Sequence, residues 1–485
     1  MAGIVSCGAY APRYRLKRKK IFEAMGWMNP ANRANARGDK AVANFDEDSL
    51  TMAVAAGRQA LASLDRAQVG GVYFASTTMP YKERLNAGIV CVALGLTDQV
   101  RAADFGGGLK AGTSALLAAL EGVEAKRLNN LVVCAADCRL GAPASVQEMV
   151  FGDAAAAAVV GSENVIAEFR GSFSTTYDFV DHYRGQAAVF DRQWEDRWIK
   201  DQGYGLMIPE AIRGLLDVAG LDLTAFSKVI YPCRYGAERK RINKLLNITP
   251  EMDQSTLLAE IGECGTPQPL VMLAAALEEA RPGDRILVVG FGNGCDAIHF
   301  QVTDMIETVR PGTGLSASLA NKAELDSYEK YLVWRSILPG DLGLRAEEDL
   351  WTRWSLLWRN HKAVLGLCGS RCLKCGTVQF PPQRICVNPD CGAVDQMTDY
   401  SLADKIGRIS SYTGDNLAAS YNPPAIYGQV EFEEGGKFLF DFTDCDLDSL
   451  AVGQRVGFSF RRKYYDPKRD IVGYFWKAVP LKEVD

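Results

Sequence analysis

The segment RCLKCGTVQFPPQRICVNPDCG holds two close cysteine pairs: Cys372 and Cys375 are separated by two residues, and ten residues further on Cys386 and Cys391 are separated by four. Two pairs on tight turns bring four thiolates to one tetrahedral centre, the way zinc staples a ribbon too small to build its own core. Gly376 and Gly392 directly follow the second cysteine of each pair, where a knuckle turn needs a permissive backbone. Four sulfur ligands close the coordination sphere, so a zinc here is structural. The interval is shorter and the second gap longer than in the commonest template, which leaves a redox or vacant ribbon as the alternative. Cys368 is a spare thiol beside the cluster. Of the thirteen cysteines, most others stand singly in apolar runs, and Cys7, Cys91 and Cys134 read as reduced core thiols.

Upstream, residues 1–305 alternate short β-branched runs with alanine-rich helical stretches: GVYFAST, NAGIVCVALGL, GTSALLAALEGVEA, NNLVVCAAD. This is the rhythm of an α/β domain. NNLVVCAADCRLG with AAAAAVVG, and GDRILVVGFGNG with AIHFQV, are two apolar strand–turn–strand units, which points to two similar halves. Turn formers in TVRPGTGLSAS place a linker at 306–325. AELDSYEKYLVWRSIL and EEDLWTRWSLLWRNHKAVLG carry tryptophans, leucines and charges at helical spacing, so 326–366 is expected to form two amphipathic helices. The zinc ribbon then takes 367–396. Short alternating strands across 397–485 suit a small β-barrel of OB type.

The net charge of −5 exerts no global pull toward nucleic acid, and a hydrophobic fraction of 48% sits at the soluble average. No window approaches the roughly eighteen apolar residues of a membrane span, and the first residues lack a secretory pattern, so a cytoplasmic address is expected. A ribbon and barrel raise single-stranded nucleic-acid binding as a rival reading. FRRKYYDPKRD favours it, while VEFEEGG and DFTDCDLD in the same tail make the charge mixed.

Residues 1–305 resemble the thiolase superfamily, in its 3-hydroxy-3-methylglutaryl-CoA synthase and ketoacyl synthase III branch. The resemblance is carried by GIVSCGAYAPRYRL, DSLTMAVAAGRQAL, YFASTTMPYKERLNAGIVCVALGL, FGDAAAAAVVG, TTYDFVDHYRG and GTPQPLVMLAAALEEARPGDRILVVGFGNG. It implies a five-layered α-β-α-β-α domain, usually dimeric. The tail resembles the family (DUF35-type) in which helices precede a rubredoxin-like zinc ribbon and an OB-fold, often encoded as a separate partner of thiolase-like enzymes; SYEKYLVWRS, RCLKCGTVQFPPQRIC and GRISSYTG carry that match. Together they imply acyl-CoA as ligand, with zinc the structural metal.

That resemblance also marks what is missing. Condensing relatives place a cysteine nucleophile at a helix N-terminus, where backbone N–H groups favour thiolate; in ADFGGGLKAGTSAL the position is Leu109. The family histidine falls at Pro232 in VIYPCRYGAERK, its asparagine at Glu263 in IGECGTPQP, and the synthase branch's acidic base at Thr77, or Thr78 with a shift of one. Acyl transfer through a cysteine is therefore disfavoured. Cys233 and Cys264 lie beside two of the lost positions, and Cys233 is a candidate substitute thiol against a packing role. A retro-aldol or retro-Claisen cleavage needs no acyl-enzyme if a base removes a hydroxyl proton and donors stabilise a thioester enolate. The acid–base candidates are Glu263, the preferred one, expected to have a raised pKa or else a salt bridge to Lys110 or an arginine, together with Tyr235, Tyr177 and His182, the last with a surface or hydrogen-bonded loop histidine as the alternative. The oxyanion candidates are the backbone donors of Gly107 to Lys110 and Gly292 to Gly294, with Gly107, Gly108, Gly292 and Gly294 as the permissive positions. By position in the resemblance, Arg239, Lys240 and Arg241 are candidates for CoA phosphates, with a solvated helix face as the alternative. The expectation is an acyl-CoA carbon–carbon bond enzyme without a cysteine acyl-enzyme. The alternative is a non-catalytic subunit, homodimeric or paired with a thiolase-like protein.

Overall fold

The computed structural model describes residues 1–309, 314–347 and 350–481. The chain forms two compact units, one made of Met1–Asn44, Asp48–Cys91 and Gln99–Tyr331, the other of Phe45–Glu47, Val92–Asp98 and Leu332–Asp485.

In the first unit, nine strands are β1 (Gly3–Tyr10), β2 (Gly71–Ala75), β3 (Arg101–Phe105), β4 (Leu131–Asp137), β5 (Ala154–Gly161), β6 (Ala167–Thr176), β7 (Lys228–Ile230), β8 (Arg285–Phe291) and β9 (Gly294–Val302). They make one sheet in the order β7-β8-β9-β6-β1-β5-β4-β2-β3. The expected duplication is visible in the pairing. β2 and β4 are parallel and β5 runs antiparallel to both β4 and β1; β7 and β8 are parallel and β9 runs antiparallel to both β8 and β6. The halves join where Gly3 faces Glu168 and Ile4 faces Ala167 on β1 and β6.

Five helices matter here: α1 (Ser49–Ala60), α2 (Ala111–Glu124), α3 (Gly205–Ala219), α4 (Gly236–Leu246) and α5 (Gln268–Glu279). α1 packs on β1, β4 and β5, α3 on β6 and β9, and α2 and α5 touch each other as well as strands of both halves. The layers are thus α-β-α-β-α. LVVCAAD and AAAAAVVG are buried at every residue, as strands covered on both faces must be. The alanines and leucines of α2, good helix formers without a β-branched run, bury Leu116, Leu117 and Leu120 in the core shared with α5. The stretch expected as linker contains a helix, Gly314–Ala320, and a strand, Ala323–Glu324, that pairs in parallel with Tyr14–Arg15; residues 310–313 lie outside the described residues.

The two amphipathic helices expected across 326–366 take the form of a seven-residue helix, Tyr328–Trp334, at the junction of the two units in sequence, and of short helical turns at Trp354–Arg359 and His361–Leu365. Helical spacing overrated this stretch. Arg353 is extended and Asn360 departs from helical geometry between the two turns, and the Pro339–Gly340 pair interrupts the pattern upstream. The ribbon strands β10 (Cys368–Cys372), β11 (Val378–Gln379) and β12 (Met397–Ser401) form a three-stranded sheet with β10 central.

The last five strands are β13 (Gly407–Asp415), β14 (Ala425–Phe432), β15 (Lys437–Asp441), β16 (Arg455–Asp466) and β17 (Ile471–Pro480), ordered β15-β14-β13-β16-β17. A parallel bridge from Phe442 to Ala478 brings the two ends together, giving the five-stranded OB arrangement around Phe432, Phe440, Phe458 and Trp476. The basic run of β16 is spent within this unit. Arg461, 2% exposed, pairs with Asp46, Glu47 and Asp444; Lys463 pairs with Asp441, and Arg469 with Asp466. The basic run that gave the rival nucleic-acid reading its support thus has three of its cations in ion pairs, in keeping with the mixed charge expected of this tail.

Candidate functional site

The two glycine-rich turns meet at the N-terminus of α2. Gly107 has φ 88°, in the left-handed region, and lets the chain turn from β3 into the helix. A Cβ on Gly292 would stand 2.7 Å from the Lys110 nitrogen and 2.8 Å from that of Leu109, so only glycine permits this approach. The Gly292 N–H, however, donates to the Gly294 carbonyl at 2.9 Å, which removes it from the expected oxyanion donors. Leu109 is 7% exposed. Lys110 donates to the Thr175 carbonyl and pairs with Asp296, which also accepts from Thr113, Ser114 and Ser174; the first turn of α2 thus sits on a buried carboxylate.

Leu109 lines two adjoining voids of about 20 Å³ each, room for a single water. Glu263 and Tyr204 border both; Pro232 and Phe291 complete one, and Arg139, Arg234, Asp181 and His182 face the other. Backbone hydrogen bonds fix Glu263: its N–H donates to Val150 and its carbonyl accepts from Gly152. A two-stranded ribbon, His182–Tyr183 against Arg192–Gln193, carries the histidine. A π-helical turn, Ile199–Tyr204, delivers Tyr204, whose ring stacks on Phe291 at 4.4 Å.

The electrostatics correct one expectation directly. Burial pushes the Glu263 carboxyl up, but Arg234 and Arg139, aided by His182, outweigh it and hold the pKa below the usual value rather than above. Each carboxylate oxygen faces one guanidinium at 3.3 Å, so the salt bridge is to two arginines and not to Lys110. Arg139 also pairs with Asp191 at 2.8 Å and lies over the Phe151 ring; Arg184 is the second partner of Asp191. His182 Nδ1 is 3.0 Å from Asp181, whose carboxyl is held below its ordinary value against burial by that contact.

The remaining candidates separate. Cys233 is 3% exposed in the core around α3, and burial pushes its thiol up to about 12; Cys264 is fully buried, which raises its pKa well above the ordinary thiol value. Neither is poised as thiolate. Tyr235 donates to Asp196 at 2.8 Å and receives a bond from Arg234, and burial raises its pKa. Tyr177 is bound to Glu210 at the surface. Thr77 and Thr78 surround buried Asp137. On α4, Arg239 is occupied by Asp253 and by the carbonyls of Tyr231 and Gln254, and Arg241 by Glu238, which leaves Lys240 exposed.

At the ribbon, the Sγ atoms of Cys372, Cys375, Cys386 and Cys391 all lie within 4.8 Å of one another. The Cys372–Cys391 and Cys375–Cys386 separations are 3.8 and 3.5 Å. A tetrahedral Zn–S bond of about 2.3 Å demands edges of about 3.8 Å, so the donor set fits a closed structural zinc site.

Over 314 residues the chain is 33% identical to hydroxymethylglutaryl-CoA synthase of Methanopyrus kandleri, covering 64% of this chain and 89% of that protein. Against the Methanocaldococcus jannaschii synthase it is 32% identical over 344 residues, 69% of this chain and 99% of the relative. The chain belongs to the hydroxymethylglutaryl-CoA synthase family. Its fold agrees: a crystal structure of HMG-CoA synthase complexed with CoA superposes with TM-score 0.62 at 18% identity, covering 73% of this chain and 94% of that one. 3-Oxoacyl-[acyl-carrier-protein] synthase III from Aquifex aeolicus superposes with TM-score 0.54 at 19% identity, over 62% and 100%. Residues 360–395 match the ChsH2 rubredoxin-like zinc ribbon model. This synthase-family chain thus carries a zinc ribbon and OB barrel. Among its described residues no helix is long and apolar enough to cross a membrane.

Several residues of the void were missed from the sequence: Arg139, Arg234, Asp181, Asp191 and Tyr204. Arg234 alone had a signal, its place two residues after Pro232.

Proposed function

We propose that the chain binds acyl-CoA and makes or breaks a carbon–carbon bond beside the thioester without a cysteine acyl-enzyme. Family membership supports the thioester chemistry. The observation that carries the mechanism is His182, held by Asp181 and facing the void that Leu109 lines. With Nδ1–H donating to Asp181, Nε2 keeps the lone pair and takes the hydroxyl proton of a β-hydroxyacyl thioester. The Cα–Cβ bond then breaks, its electron pair enters the thioester enolate, the β-carbon leaves as a carbonyl, and the imidazolium returns the proton to Cα. Arg139 and Arg234, each already paired with Glu263, offer guanidinium N–H donors to the thioester oxygen rather than uncompensated charge. His182 thereby takes precedence over Glu263, whose pairing with both arginines makes it their positioning residue.

Incubation with 3-hydroxyacyl-CoA substrates, read by mass spectrometry, tests this: a carbonyl product plus shortened acyl-CoA is expected, with loss of turnover in His182→Gln and retained CoA binding. Undiminished turnover in that variant sinks the assignment.

The second reading is a non-catalytic subunit, as homodimer or partner of an active thiolase-like enzyme. Leu109 and voids that hold one water favour it. It predicts no turnover by the chain alone and copurification with a relative that keeps its cysteine.

A further inference from the structure

We infer that Glu263 sets acyl specificity, admitting uncharged acyl groups and rejecting those that carry a free carboxylate; this rests on the acyl-CoA reading above. The argument is a charge count at the void. Arg139 is shared by Asp191 and Glu263, Arg234 by Glu263 and Asp196, and Arg184 pairs with Asp191, while Asp181 is held by His182. The lining itself carries three guanidinium groups, Arg139, Arg192 and Arg234, against three carboxylates, Asp181, Asp191 and Glu263, and Arg184 and Asp196 just outside it add one charge of each sign. Of these, Arg192 is exposed to solvent and screened.

An acyl group with its own carboxylate would enter as a fourth negative charge. It would do so beside Glu263, whose side chain is 12% exposed and whose two oxygens already occupy the facing sides of Arg139 and Arg234. Desolvating an anion without a free counter-charge is how a site discriminates by repulsion rather than by fit. A neutral β-hydroxyacyl group brings no such demand. Glu263→Gln keeps the shape and hydrogen-bonding reach of the side chain, removes one negative charge and leaves the guanidinium groups in excess by one. Arg234→Gln shifts the count the other way.

The test compares binding of 3-hydroxybutyryl-CoA and 3-hydroxy-3-methylglutaryl-CoA to the full chain by calorimetry, with CoA as reference. The wild-type chain is expected to prefer the neutral thioester by about tenfold or more. Glu263→Gln should erase or invert that preference, and Arg234→Gln should preserve or widen it. Equal affinities in the wild type, or an unchanged preference in Glu263→Gln, overturn the specificity role while leaving the acyl-CoA reading in place. No binding of CoA or of either thioester overturns both.

Discussion

A leucine at position 109, 7% exposed, occupies the mouth of α2 and lines the void. Its neighbours show that one substitution would not restore nucleophilic chemistry. Pro232 offers no base, and Asp296, buried under the first turn of α2, opposes negative charge there. Leu109→Cys incubated with acetyl-CoA is therefore expected to give no acetyl adduct by mass spectrometry; an adduct on the introduced thiol would show that the turn alone suffices. A second residue-scale effect concerns His299, 4% exposed on β9, with both ring nitrogens lacking hydrogen-bond partners and Phe226 packed at 4.7 Å. Burial, then Arg285 and Arg170, lower its pKa from 6.5 to about 4. The unfolded chain therefore binds the proton first as pH falls, so stability drops from about pH 6.5 toward 4 and levels off below. Urea midpoints at pH 7 and 4.5 should differ less in His299→Leu than in the wild type. Residue identity made Leu109 legible as a leucine at the mouth of α2, where the family resemblance implies a nucleophile. It did not reveal that Glu263 would be ionised, because that depends on Arg139 and Arg234 arriving from distant parts of the chain.

Elements divide by how much of their stability is local. The ribbon is legible in spacing alone, since two cysteine pairs with glycines behind them have one compact solution. Chelation of zinc, or Cys386→Ser, should unfold β10–β12, read as loss of protease resistance confined to 367–401; unchanged resistance would argue against a metal-dependent ribbon. α2 is the opposite kind of element. Leu116 is fully buried between strands of the two halves and α5, so Leu116→Ala is expected to cost about 2–5 kcal/mol in denaturant unfolding. The tryptophan-rich stretch shows the limit of periodicity. Trp351 and Trp358 remain 68% and 72% exposed on short helical turns and irregular chain, the first beneath the Arg353 and Arg469 guanidinium groups and the second stacked on His361, with no burial in a core. Without burial, helical spacing does not sustain a long helix.

At the scale of the whole molecule, the second unit shows how far apart in sequence a structural cluster can originate. Asp46 and Glu47 join Arg461, Asp444 and Lys477 in a buried charge network. Removing one member leaves partners unpaired, so Arg461→Met should destabilise by about 3–5 kcal/mol, and Asp46→Asn combined with it should cost less than the sum of the two alone. Additive effects in such a double-mutant cycle would show that the network is not coupled. The sequence by itself determined the duplicated α/β unit, the ribbon ligands, the small barrel and the absence of a cysteine at the helix N-terminus. These follow from residue type, spacing and alternation, which act over a few residues. Only the tertiary structure decided that the basic run of the barrel is consumed by ion pairs, that Glu263 is clamped between two arginines, and that His182 faces the void. Those outcomes turn on which charges meet when distant segments pack, and a buried charge takes its properties from its partners.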